Sequence, residues 1–213
     1  MSIIAKKFEL VLPNDGNAVS IALVGASRSG KTTMLKHLYK STFQKHITVM
    51  CSMNKQADIY KDLSSKVIVS DRYDPSILSE MHKINAKSNN KFPFLFISDD
   101  YVDRKIKNCQ EVTRAMTIYR NANVSSIWSF QGRVLLSSVG RMNINYIAVF
   151  RQNTPMEWSN IIKEVLDMYL PMGLTMTEKI QYCKEATENH QLFWINTIEG
   201  TCILTKLSPS QIL

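Results

Sequence analysis

At 213 residues the chain is long enough for one sizeable α/β domain, and 45% apolar residues are ample for one continuous core. A formal net charge of +8 suits either solubility or a polyanionic partner, and the basic residues are scattered rather than gathered into a tail. The opening "MSIIAKKFEL" lacks the apolar centre of a signal peptide and no apolar run approaches a membrane span, so a soluble intracellular protein is expected.

In chain order, "SIALVG" (residues 20–25) is a short apolar run ending in Gly, which predicts a buried strand entering a turn. "KTTMLKHLYK" follows as a helix whose Met34, Leu35 and Leu38 form an apolar stripe. "HITVMCS" (46–52) and "KVIVSD" (66–71) read as strands from their β-branched content. Asp74-Pro75 opens a helix through Ile77, Leu78, Met81 and Ile84 that ends in the polar "KSNNK". "FPFLFISDD" (92–100) is the most apolar strand of the chain. "QEVTRAMTIYRNAN" is a helix ending at an Asn-rich turn, and "SSIWSFQ" (125–131) and "YIAVFR" (146–151) are strands. "EWSNIIKEVLDMYL" is amphipathic, "TEKIQYCKEA" is a shorter helix, and "QLFWINTIEGTCILTKL" reads as a hairpin turning at Glu199-Gly200.

Strands alternating with helices, several of them continuous apolar runs, predict a mostly parallel sheet covered on both faces. Such a sheet gathers its ligand-binding loops at the carboxyl ends of its strands. No repeat, low-complexity segment or Pro/Gly-rich linker interrupts the chain. The expectation is one domain over 1–213, with a core of about 18–151 and C-terminal helices and hairpin at 155–208. Cys51, Cys109, Cys183 and Cys202 form no CxxC pair, which argues against a zinc site and for reduced thiols.

Gly25-Ala26-Ser27-Arg28-Ser29-Gly30-Lys31-Thr32 fits G-x-x-x-x-G-K-[ST] between a predicted strand and a predicted helix, with Thr33 next in the helix. Backbone N–H groups of such a loop and of the helix N-terminus point at phosphate oxygens. Lys31 is placed to neutralise β- and γ-phosphate charge, and the Thr32 hydroxyl to ligate Mg²⁺. The partner should be an acid at the end of another apolar strand, and the strand ending in Asp99-Asp100 supplies it. Asp99 is assigned to Mg²⁺ through its water shell, and Asp100 to orienting or deprotonating the attacking water. An additional predicted strand between the two motifs suits ATP hydrolysis coupled to work. Gln131, ending the next strand, is a candidate γ-phosphate sensor that positions water.

The ordered set of phosphate loop, Asp99-Asp100, Arg120 at a helix end, Gln131, and Gly140-Arg141-Met142-Asn143 before the strand at 146–151 resembles the poxvirus-type genome-packaging ATPases of the FtsK/HerA superfamily. The likeness covers about residues 21–151; Ala26 and Arg28 stand where that family tends to have Gly, and many relatives carry Asp-Glu in place of Asp99-Asp100. With the element order it implies a RecA-like, ASCE-type P-loop NTPase with a C-terminal β-hairpin. It also implies a motor that uses ATP and Mg²⁺ to pull double-stranded DNA, without sequence preference, into a preformed capsid. Partners implied are copies of the chain in a pentameric or hexameric ring and capsid or vertex proteins, in the host cytoplasm or the virion. In such rings a neighbour's arginine stabilises the transferring phosphoryl group, and Arg141 is the first candidate by motif position, Arg120 the second.

A competing reading rests on "VIVSDRYDPS", where Asp71-Arg72 after an apolar strand resembles thymidylate-type nucleoside monophosphate kinases. Those enzymes give no equal role to a strand ending in Asp-Asp, and no Arg-rich lid of suitable spacing follows here. A GTPase is disfavoured because the guanine-reading N-K-x-D tetrad is missing.

Overall fold

The computed structural model describes residues 4–5, 8, 10, 18–52, 60, 63, 67–70, 72, 74–99, 109–131 and 137–207. In chain order these give β1 (Ile4–Ala5), β2 (Ser20–Val24), α1 (Lys31–Leu38), β3 (Ile47–Ser52), β4 (Val67–Ser70) and α2 (Ser76–Lys87). There follow β5 (Phe94–Asp99), α3 (Gln110–Thr117), β6 (Val124–Phe130), α4 (Ser138–Met142) and β7 (Tyr146–Val149). The chain closes with α5 (Pro155–Ile161), α6 (Met176–Ala186), β8 (Leu192–Asn196) and β9 (Thr201–Thr205).

Local chemistry sets many of these limits. Both α5 and α6 begin in capping boxes, Thr154 with Glu157 and Thr175 with Glu178, and Pro155 occupies the first turn of α5. The Asp74 carboxylate accepts from the Ser76 amide ahead of α2, and hydrogen bonds from Ser76 hold its pKa below the usual carboxylate value. Asn123 (φ 57°) ends the turn after α3 in the left-handed region, which Asn tolerates better than most residues. The β8–β9 hairpin turns at Gly200 (φ 65°), while Asn196 Oδ1 accepts from the amides of Ile198 and Glu199.

The strands form one nine-stranded sheet in the order β1-β9-β8-β7-β2-β6-β5-β3-β4. From β7 to β4 every pairing is parallel, and the C-terminal hairpin joins β7 antiparallel. Alternate residues of the central strands enter different cores, as the two-residue period of a strand requires. Ala22, Val24, Phe96, Trp128 and Val149 pack with Leu78 and Met81 of α2, Val112 and Met116 of α3, and Trp158 of α5. Ile21, Leu23, Ile97, Ile127 and Ala148 pack with Met34, Leu35 and Leu38 of α1. Helices therefore cover both faces, which is why these strands read as continuous apolar runs rather than alternating ones.

The fold agrees with the sequence expectation for an α/β, P-loop NTPase sheet with helices on both faces and a C-terminal hairpin. The strand that separates β2 from β5 in space is β6; β3 and β4, which intervene in sequence, lie beyond β5. The short α4, carrying Gly140 and Arg141, was not among the expected elements, being too brief for helical periodicity to register. All four cysteines are free, and burial pushes the Cys183 and Cys202 thiols up to about 12, so both are neutral at physiological pH. No described helix is long and apolar enough to cross a membrane.

Candidate functional site

The loop between β2 and α1 leaves the sheet at its carboxyl edge and is tied to two neighbouring strands. The Gly25 amide donates to Phe130 O at the end of β6 (3.1 Å), and the Ala26 amide to Arg151 O beyond β7 (2.9 Å). Gln152, 2% exposed, donates through Nε2 to Phe150 O (2.8 Å) and Val24 O (3.5 Å), bracing the root of the loop. Gly25 has no room for a side chain: a Cβ there would lie 2.6 Å from Phe150 Cβ and 2.8 Å from Ser29 Oγ. Gly30 caps α1 at φ 104°, a conformation that suits glycine. Arg28 also has a positive φ, 61°, which costs a side-chain-bearing residue about 1–2 kcal/mol.

Gly25→Ala is expected to displace Phe150 or the loop itself, at a cost of about 1–3 kcal/mol. Thermal denaturation should register the loss, and titration with a nucleoside triphosphate should show weakened binding. Unchanged stability and unchanged binding would mean that the loop yields freely at this point.

Lys31, 3% exposed, donates through Nζ to Gly25 O (3.1 Å) and Ala26 O (2.9 Å), so its ammonium is held against the loop backbone. Ala26 is buried, Ser27 and Arg28 are exposed, and Thr33 is half-buried in the first turn of α1. The Thr32 hydroxyl donates to Asp99 Oδ2 (3.2 Å) across the intervening β6. Asp99, 1% exposed, also accepts at Oδ2 from the Tyr60 phenol (2.5 Å), whose oxygen lies 3.2 Å from Ser52 Oγ. Ser52 stands opposite Asp99 in the β3–β5 register. A carboxylate and a hydroxyl thus converge beside the helix N-terminus, an oxygen-donor pair that fits Mg²⁺ shared with phosphates. Among the described residues no group of three or more His, Cys, Asp or Glu makes a metal site by itself.

The expected site residues divide by position. Lys31, Thr32 and Asp99 come together, and Gln131 is exposed where β6 ends, directly after the Phe130 carbonyl that receives the Gly25 amide. Asp100 and Asp71 lie outside the described residues. Arg120 and Arg141 are placed at the opposite edge of the sheet. Arg120 Nη1 donates to Asn145 Oδ1 (2.9 Å), which also accepts from the Ser20 amide (2.9 Å) at the start of β2, and Arg141 lies in the last turn of α4, ahead of β7. Neither arginine therefore lies at the phosphate loop of this chain. Arg72 is exposed at the end of β4, the outermost strand, in a small turn in which its amide and carbonyl both bond the Ser70 hydroxyl. Strands β3, β5 and β6 separate it from β2.

Residues 14–171 match the family model described as Poxvirus A32 protein, well over half of the chain. The chain belongs to the poxvirus A32 protein family. This agrees with the resemblance carried by the order of Gly25–Thr32, Asp99, Gln131 and Arg141 in the sequence. Among solved structures, the chain is similar to the genome packaging NTPase B204 of Sulfolobus turreted icosahedral virus 2 in complex with sulfate. That match has 17% identity and a TM-score of 0.67, over 91% of this chain and 98% of that one. The same protein in complex with AMPPCP matches at 20% identity and TM-score 0.63, over 91% and 99% of the two chains. The conjugation coupling protein TcpA of pCW3, with ATPγS, matches at 14% identity and TM-score 0.55, over 89% of this chain and 60% of that one. No curated protein matches the chain. At these identities the structural matches establish the fold that A32-family chains share with such NTPases.

Tyr60, Ser52 and Gln152 are site residues that the sequence reading did not find. Tyr60 sits in "NKQADIYKDL", with no motif to mark it; its phenol meets the Asp99 carboxylate at the end of β5. A phenol donating to a carboxylate favours the charged form. Tyr60→Phe removes one donor to the Asp99 carboxylate and is therefore expected to lower turnover by about tenfold. The readout is steady-state phosphate release, with thermal denaturation to separate a folding defect. Unchanged turnover would leave Tyr60 a packing residue only.

Proposed function

We propose that this A32-family chain is an ATP-driven double-stranded DNA translocase that packages a viral genome into a preformed capsid. ATP is hydrolysed at subunit interfaces of a pentameric or hexameric ring. The observation that carries the reading is the Thr32–Asp99 contact made across β6 beside a buried Lys31, in a chain of this family. The separation of the phosphate-loop strand from the acidic strand by one more strand leaves space at the sheet edge for a hydrolytic water and its orienting groups.

In this mechanism the amides of the loop and of the first turn of α1 bind the phosphates, and Lys31 offsets their charge. Thr32 and Asp99 are the residues that would hold Mg²⁺, which when bound neutralises charge on the β- and γ-phosphate oxygens. Asp100, next in the chain, orients or deprotonates the attacking water by its place in the motif. Gln131 senses the γ-phosphate from the end of β6. Arg141, by motif position, reaches the site of a neighbouring subunit. The net charge of +8 serves DNA phosphate contacts that are independent of sequence and sensitive to salt. Capsid or vertex proteins dock the ring.

The test is ATP turnover by the full chain with and without double-stranded DNA, alongside sedimentation to read assembly. Turnover stimulated by DNA irrespective of its sequence, and weakened by salt, is the expected result. Turnover that requires a nucleoside monophosphate and ignores DNA would overturn the motor and make the protein a kinase.

A further inference from the structure

The helix that carries Arg141 is poorly held by packing. α4 has five residues, far fewer than an isolated helix needs to be stable in water. Helices in proteins are usually fixed by an apolar face laid on a core. In α4 Gly140 alone is buried, while Val139 is 45% and Met142 76% exposed. A chain of hydroxyl hydrogen bonds supplies what packing does not. The Gly140 amide donates to Ser137 Oγ (3.0 Å), Ser137 Oγ lies 3.0 Å from Thr113 Oγ1 on α3, and Thr113 Oγ1 donates to Cys109 O (3.4 Å).

We propose that the Ser137–Thr113 hydroxyl pair is a latch that positions Arg141 for its action on the neighbouring subunit. The inference rests on the reading of Arg141 as the arginine supplied across a ring interface.

Counting protons gives the chain a direction. Each hydroxyl has one proton to donate and two lone pairs to accept with. With the Thr113 proton on Cys109 O, the Ser137 hydroxyl is the donor to Thr113 and accepts from Gly140, so each bond polarises the next. The chain starts in α4 and ends at the N-cap of α3. That helix is firmly seated, with Val112, Ala115 and Met116 buried in the core. The Ser137 carbonyl also accepts from the Arg141 amide (2.9 Å), so Ser137 holds both the start of α4 and the backbone of the arginine. The Asn143 amide on Gly140 O (3.1 Å) and Asn143 Nδ2 on Val139 O (2.9 Å) are local bonds that close the helix. Ser137 and Thr113 are thus positioning residues, and position matters steeply: a misplacement of about 1 Å can cost about a hundredfold in rate.

The experiment is steady-state ATP turnover by the full chain with double-stranded DNA, in rings of one variant and in mixed rings. Ser137→Ala and Thr113→Val are each expected to lower kcat by about tenfold or more, with KM for ATP within about twofold of the wild type, because the variant's own phosphate loop is untouched. Thr113→Ser, which keeps the hydroxyl, should bring turnover back to within about twofold of the wild type. Mixing Ser137→Ala chains with Lys31→Ala chains should raise turnover about threefold or more above the sum of the two alone, since the Lys31→Ala chains supply a well-placed arginine. Mixing them with Arg141→Ala chains should add nothing. Unchanged kcat, a loss carried by KM, no rescue by Thr113→Ser, or a Ser137→Ala defect that Lys31→Ala chains do not relieve would overturn the latch. Failure of Arg141→Ala chains themselves to complement Lys31→Ala chains, in rings shown to be mixed, overturns the reading of Arg141 instead, a distinct result. If thermal denaturation shows Ser137→Ala unfolded, Thr113→Val decides by the same criteria.

Discussion

Lys31→Ala is expected to reduce ATP turnover by about a hundredfold to a thousandfold, the usual effect of removing one preorganised donor from a site of developing charge. The ammonium is 3% exposed and fixed by Gly25 O and Ala26 O, so its charge acts at low dielectric with little reorganisation. Alanine removes the charge and leaves both carbonyls short of a donor. Lys31→Arg is expected to be nearly as damaging, because a planar guanidinium cannot occupy the space of a compact ammonium inside the loop. Steady-state phosphate release measures the effect, and thermal denaturation separates it from unfolding. Retention of more than about a tenth of wild-type turnover by the alanine variant would remove Lys31 from the catalytic charge balance.

The place of Lys31 was legible in the sequence, because the loop is a local feature. A continuous apolar strand, a Gly-bounded turn and an adjacent amphipathic helix fix one another within a few residues, and Lys31 and Thr32 fall where the motif places them. Asp99 was legible for the same reason, as the polar end of the most apolar strand. What surrounds Asp99 was not legible. Ser52 comes opposite it through the parallel register of β3 on β5, and strand register leaves no periodic trace in sequence when both faces are buried; Tyr60 reaches it from beyond β3, a long-range contact no local pattern marks. The positive φ of Arg28 likewise leaves no mark in the sequence, because a residue with a side chain stands there. The C-terminal helices and hairpin were readable as elements, yet only the fold brings the α6–β8 connection to line one cleft with Arg28 and Arg151.

Arg141→Ala is expected to lower turnover by about a thousandfold or more, as the loss of an arginine supplied by a neighbour does in related chemistry. The geometry narrows how either candidate arginine can act. β2 runs from Ser20, next to Asn145 and Arg120, to Val24, at the phosphate loop. At about 3.3 Å per residue this strand holds the two ends roughly 13 Å apart. An arginine at the Ser20 end cannot serve its own loop, so any catalytic role is across an interface. Arg120 has a structural task already, donating to the Asn145 side chain that also ties down Ser20. Arg120→Ala is therefore expected to cost about 2 kcal/mol of stability, read by chemical denaturation, with turnover per folded molecule far less affected than for Arg141→Ala. Mixing inactive Arg141→Ala chains with inactive Lys31→Ala chains should restore partial turnover, since some interfaces then combine an intact Lys31 with an intact Arg141. Mixing Arg120→Ala with Lys31→Ala should add nothing beyond the residual rate of the two. Complementation by Arg120→Ala in place of Arg141→Ala, in rings shown to be mixed, would transfer the role to Arg120 and make the Asn145 contact a resting position of that side chain.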